Sequence, residues 1–175
     1  MIKRILSYVN RELHMKRDPV GFARSVGVRM GENCHFYAMS VDMFGSEPFL
    51  ITLGSNVHIT NGVKFIPHDG GTLLFRKQYP DLDVTAPITV GDNVFIGTCS
   101  IILPGVNIGN NCMIGAGSVV SRDIPSNSLV AGVPARVIKP IDEYLETLKG
   151  KSIGCGHLPA KEKVDFLKEY YSVSR

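Results

Sequence analysis

The sequence predicts an all-β repeat fold: a parallel β-helix with helical segments at both ends and one long loop leaving its coils. Three observations carry this reading. β-Branched aliphatic residues recur at Val90, Ile96, Ile102, Ile108, Ile114 and Val120, a step of six without exception. Four residues after each stands a second series of small or medium-sized residues, Val94, Ser100, Val106, Cys112, Ser118 and Ile124. Glycine follows the aliphatic at Gly91, Gly97, Gly109 and Gly115, where a turn needs positive φ or a close approach of neighbouring backbone. A step of six matches neither the helical period of about 3.6 nor the strand period of about 2. It matches three short strands and three turns in a coil of about 18 residues, with each coil stacking its aliphatics on the next.

Taken from the start of the chain, Ile2, Ile5, Leu6, Val9 and Leu13 recur at helical spacing, and Asp18-Pro19 reads as the cap and first position of a second short helix. Residues 1–27 are expected to form a helical cap over the open end of the coils. Lys3, Arg4, Arg11, Lys16 and Arg17 are read as a solvated helix face rather than a membrane contact. The coils, residues 28–139, open with Met30 and Phe36 and settle into the step of six at Leu53, Ile59 and Phe65, with Val57 and Val63 in the second series. Between Phe65 and Val90 the spacing widens to 25 residues, and HDGGTLLFRKQYPDLDVTAP carries Gly, Pro and Asp but no aliphatic beat. Residues 69–87 are therefore expected to be a loop extruded from the coil, with His68 at its base. Such loops commonly carry function. After the coils, Ile141, Tyr144, Leu145 and Leu148, then Val164, Leu167 and Tyr171, predict two helices joined by GKSIGCGHLP, a C-terminal extension over residues 140–175.

Composition narrows the function. A chain of 175 residues with 44% hydrophobic content suits one repeat domain with appendages, not two full globular domains. The net charge of +3 is too small to imply nucleic-acid binding, and the basic residues form no block interleaved with aromatics; a small anionic ligand fits better. No run of about 18 apolar residues occurs, and MIKRILSYVNRELHMKR is broken by charges where a signal peptide would be apolar. The expectation is a cytoplasmic protein without stable membrane insertion. Cys34, Cys99, Cys112 and Cys155 form no CxxC pair, which disfavours a zinc site or a disulfide framework and predicts buried thiols.

The stretch PITVGDNVFIGTCSIILPGVNIGNNCMIGAGSVVSRDIPSNSLVAGVPARVIK, residues 87–139, closely resembles the hexapeptide-repeat acyltransferases, whose fold is a left-handed parallel β-helix. Within that family it is most similar to the galactoside, maltose and xenobiotic O-acetyltransferases and to the capsule or lipopolysaccharide sugar acetyltransferases of polysaccharide biosynthesis. The resemblance spans residues 28–139 and leaves both ends uncovered. It implies a homotrimer with acetyl-coenzyme A as co-substrate, bound in grooves between neighbouring coils. It places His68 at the catalytic histidine ahead of the looped-out segment, and Thr98 where a backbone N–H faces the thioester oxygen. Phe95 replaces a tryptophan usual in the galactoside enzymes, and Gly115, Ala116, Ser121, Arg122 and Arg136 fall on positions lining the coenzyme path. Met39 stands where the galactoside subgroup carries an asparagine near the acceptor, which argues against that subgroup's substrate.

The chemistry suits these residues. A sugar hydroxyl is a poor nucleophile at neutral pH and needs a base to take its proton as oxygen attacks the thioester, a task within reach of an imidazole. Negative charge then gathers on the thioester oxygen, for which the Thr98 N–H in a glycine turn is a fixed donor. Because the acetyl group arrives activated, no acyl-enzyme is required and direct transfer is expected. Asp69, Asp81 and Asp83 are the sequence candidates for orienting His68, and Arg122 and Arg136 suit the phosphates of coenzyme A. His14, His35, His58 and His157 receive no role. The rival readings are a non-catalytic scaffold and a zinc protein of the gamma-class carbonic anhydrase type. The zinc reading needs three converging histidines, and only His58 and His68 lie near each other in sequence, so no metal is expected.

Overall fold

The computed structural model describes residues 11–173. The step of six becomes strands of two or three residues separated by tight turns. In chain order they are β1 (Arg29–Met30), β2 (His35–Phe36), β3 (Ile51–Leu53), β4 (Val57–Ile59), β5 (Lys64–Phe65), β6 (Ile88–Val90) and β7 (Val94–Ile96). They continue as β8 (Ile101–Ile102), β9 (Asn107–Ile108), β10 (Cys112–Ile114), β11 (Val119–Val120), β12 (Ser128–Gly132) and β13 (Ala135–Pro140). Each strand stacks in parallel on its counterpart in the next coil. The first face is β1-β3-β6-β9, the second β2-β4-β7-β10-β12, and the third β5-β8-β11. β13 turns back and pairs antiparallel with β12.

Register explains why six is the period. Ile59, Ile96, Ile114 and Val130 lie directly over one another on the second face, so one residue type per coil fills one layer of the interior. Both series point inward: from Val90 to Val120 and from Val94 to Ile124 no member is more than 6% exposed. Ser100 and Ser118 are buried with them because their hydroxyls donate to backbone carbonyls, Ser100 to Gly97 at 2.7 Å and Ser118 to Gly115.

Of the two demands that the sequence left open for the turn glycines, the structure shows close approach. Gly91, Gly97 and Gly109 are there for close approach: a Cβ on Gly97 would come within 2.6 Å of the Ala116 nitrogen in the next coil. At the corner between the first and second faces positive φ falls on asparagines, Asn56 at 54°, Asn93 at 55°, Asn111 at 54° and Asn127 at 62°. Their amides form a ladder, Asn56 Nδ2 to Asn93 Oδ1 at 2.7 Å, Asn93 to Asn111 at 2.9 Å and Asn111 to Asn127 at 3.0 Å. Asparagine tolerates this region and satisfies its own side chain, which makes it the economical residue here. Asn93→Ala should cost about 1–3 kcal/mol through left-handed strain and two lost rungs, and Asn93→Gly clearly less, in chemical denaturation. Equal losses would show that backbone conformation contributes nothing.

At the N-terminal side, residues 11–17 are helical, and helix α1 (Pro19–Ser25) is capped by Asp18, whose Oδ1 accepts from the Gly21 N–H at 2.7 Å. Ala23 and Phe22 are buried, Ala23 within the main core. The expected stripe Ile2, Ile5, Leu6 and Val9 lies outside the described residues. Leu13, its described member, is 45% exposed, and Met15 is the buried residue. Three of the four thiols are buried as expected, and burial raises the pKa of Cys34 and Cys112. Cys99 is the exception: exposed, at φ 59°.

The chain divides into two compact units, one reaching Ile141 and one starting at Asp142. The second carries helices α2 (Ile141–Lys151) and α3 (Ala160–Tyr170), the two helices expected from the spacing. Neither helix buries a residue.

Candidate active site

His68 follows β5, where Phe65 and Pro67 are buried and fix the exit of the chain. The segment beyond it is pinned at its base by an antiparallel bridge between His68 and Thr85, and by bonds from Asp69 N–H to the Val84 carbonyl and from Ala86 N–H to the Pro67 carbonyl, both 2.8 Å. Between these bonds, residues Gly70–Leu74 form a 3-10 turn, with Leu73 and Leu74 strongly exposed.

A second segment reaches the same histidine. The connection from β2 to β3 serves as the third side of the first coil, anchored by buried Met43 and Phe44 and by the Phe65 N–H on the Met43 carbonyl at 2.8 Å. Glu47 stands at its end, and its Oε2 lies 2.7 Å from His68 Nδ1. Both side chains are about one-third exposed or less, 34% for His68 and 27% for Glu47. A carboxylate only accepts, so Nδ1 donates, and in the neutral ring Nε2 holds the lone pair. No described residue bonds Nε2.

Glu47 is the residue that the sequence reading missed. The three aspartates proposed for this task are elsewhere: Asp69 caps the Gly71 N–H at 2.8 Å, Asp83 meets Thr85 Oγ1 at 3.3 Å, and Asp81 is exposed. Its separation from His68, 21 residues, exceeds a coil of about 18, so the step of six gave no signal for the pair.

Thr98 lies at a different corner, between the second and third faces. Register places it over Ala116, and its carbonyl accepts from the Gly117 N–H at 2.7 Å. Its own backbone N–H has no acceptor among the described residues. Its hydroxyl contacts Thr60 Oγ1 at 3.3 Å. Phe95 points outward from β7, 37% exposed, in register with His58 and Met113. Gly115 is packed so closely that a Cβ would sit 3.0 Å from that of Ala131. Phe95, Thr98, Gly115 and Ala116 are thus gathered around one corner.

The remaining residues are not gathered there. Ser121 and Arg122 are exposed after β11, at the corner between the third and first faces, two coils on from His68. Arg136 is exposed on β13 with Nη1 on its neighbour's carbonyl, from Ala135, at 2.8 Å. Within one chain, His68 and Thr98 occupy opposite ends of the third face. Met39 is half-buried against the core. Lys64, outward on β5, pairs with Asp42 at 2.5 Å and holds that carboxyl below its usual pKa. Among the described residues no three His, Cys, Asp or Glu side chains converge.

Residues 87–122 match the family described as bacterial transferase hexapeptide (six repeats). Protein CapG of Staphylococcus aureus is 54% identical over 121 residues, 69% of this chain and 70% of that protein. The galactoside O-acetyltransferase of Escherichia coli K12 is 36% identical over 143 residues, 82% of this chain and 68% of that protein. The chain belongs to the hexapeptide-repeat acetyltransferases. Membership in this family implies a left-handed winding for its coils. The fold is shared with the hexapeptide-repeat acetyltransferase VCA0836 of Vibrio cholerae O1 biovar eltor, solved with acetyl coenzyme A. There the TM-score is 0.56, with 21% identity over 75% of this chain and 83% of that one.

Proposed function

We propose that this acetyltransferase moves the acetyl group of acetyl-coenzyme A directly onto a hydroxyl of a sugar or glycan precursor, with His68 as general base. The observation that carries the reading is the 2.7 Å bond between His68 Nδ1 and Glu47 Oε2, which orients the ring and leaves Nε2 to take the acceptor's proton. The oxygen so released attacks the thioester carbon, the carbon–sulfur bond breaks, and the proton on Nε2 passes to the departing thiolate. Thr98 N–H, which has no acceptor among the described residues, is the donor for the thioester oxygen as charge builds there. The coenzyme path runs over Phe95, Thr98, Gly115 and Ala116 toward Ser121, Arg122 and Arg136, whose charges suit phosphates.

Since His68 and Thr98 stand at opposite ends of one face, a complete site takes His68 from one copy and the Thr98 corner from another. This supports a homotrimer in which residues 69–87, the extruded loop, line the acceptor side. Residues 28–139 then form the acetyltransferase coils, with helical segments before and after them in sequence. A cytoplasmic location fits such a substrate, and no described helix is long and apolar enough to cross a membrane. Sedimentation should give three chains per particle at micromolar concentration. A folded, active monomer would refute the shared site.

The acceptor is tested by turnover of acetyl-coenzyme A against sugars, amino sugars and nucleotide sugars, with coenzyme release and product mass read together. Acetylation of a hydroxyl in one of these classes is expected. Exclusive acetylation of amines, or coenzyme binding without transfer to any of them, would overturn the proposal.

A further inference from the structure

His58 stands on the outward side of β4, in register with His35 on β2 and Phe95 on β7. The His35 ring stacks on it at 4.8 Å with 19° between planes, and the Tyr37 ring lies 5.9 Å away at 18°. Both of its nitrogens are engaged, Nδ1 with Tyr37 Oη at 2.9 Å and Nε2 with Asn56 Oδ1 at 3.1 Å. The direction of these bonds is set by the asparagine ladder. Asn56 spends its amide nitrogen on Asn93, so the atom it turns to His58 is the oxygen, which only accepts. Nε2 must therefore carry the hydrogen. In the neutral ring Nδ1 then accepts from the Tyr37 hydroxyl.

A further proton has to enter at Nδ1, against a hydroxyl that is already donating, and it places a charge beside His35. The titratable groups facing His58 among the described residues are His35 and Tyr37; its neighbour on β7 is uncharged Phe95. β2 is the end strand of the second face; it joins β4 through two register pairs and the Tyr37 N–H on the Ile59 carbonyl at 3.0 Å, with Phe36 edge-on to Phe44.

We propose that the contacts of His58 with His35, Tyr37 and Asn56 form an acid-sensitive seam between the first and second coils, holding β2 and Tyr37 in place while the His58 ring is neutral and releasing them when it is protonated. Burial, then the His35 charge, lowers the pKa of His58 below its ordinary value. A depressed folded value means that the stabilising contribution is whole above the ordinary imidazole pKa of about 6.5 and is lost as pH falls below it toward the folded value. The seam does not depend on the acetyl-transfer reading.

Amide hydrogen exchange of the full chain at about pH 7.5 and about pH 5.5, corrected for intrinsic exchange, tests this across the imidazole range. Opening at residues 35–37 should rise roughly three- to tenfold at the lower pH relative to residues 112–114. His58→Gln and His35→Gln should each abolish or strongly reduce that rise. Nitrogen NMR of the unaltered protein should show His58 as the Nε2–H tautomer at neutral pH, a reading that does not require either variant to fold. No rise in the unaltered protein, a full rise in both variants, or the Nδ1–H tautomer would overturn the proposal.

Discussion

His68→Ala should lower acetyl transfer by roughly 10²–10⁴-fold, the range for removing a positioned general base. This corresponds to about 2.7–5.5 kcal/mol of transition-state stabilisation. Among the described residues the ring's one hydrogen-bond partner is Glu47, and folding should be preserved. Binding of coenzyme A should survive as well, because the proposed path is built from other residues, Phe95 to Arg136. Wild-type turnover by the variant on a verified acceptor would place the base elsewhere.

Glu47→Ala should lower kcat by roughly 10–10²-fold with little change in KM for acetyl-coenzyme A, about 1.4–2.7 kcal/mol. Two losses combine. The ring is freed to rotate, and the tautomer presenting a lone pair at Nε2 is no longer selected. Glu47→Gln should fall between, since an amide oxygen still accepts from Nδ1 but without charge. The ordering of the three proteins is the decisive readout: a positioning role gives Glu above Gln above Ala in kcat. If Gln and Ala are equally slow while thermal stability drops in step, the residue is only holding the connection from β2 to β3.

Much of the coil interior could be read directly because its rule is one-dimensional. Ile96 and Ile114 are alike since they fill the same layer one coil apart, so periodicity in sequence is stacking in space. Turn roles were harder, because glycine answers two demands at once. Sequence could not tell that Gly97 is needed for approach while Asn93 carries the positive φ. His68 stood out as a candidate from the break in the beat and from family resemblance. Glu47 was not, because the third side of the first coil contains no recognisable strand, and the count of six gives no register there. The C-terminal helices were visible from spacing alone, since 3.6-residue periodicity requires no tertiary partner to be seen.

β13 lies antiparallel on β12 with a break in register at Leu129/Val130 and ends in Pro140. A stack of parallel strands otherwise offers its last rung as a template on which the first rung of another molecule could continue the same ladder. The reversed, irregular strand supplies the wrong polarity for that continuation, and its terminal proline has no N–H to give. On this face the chain thus carries its own terminator, which guards it against growing end to end into a fibre.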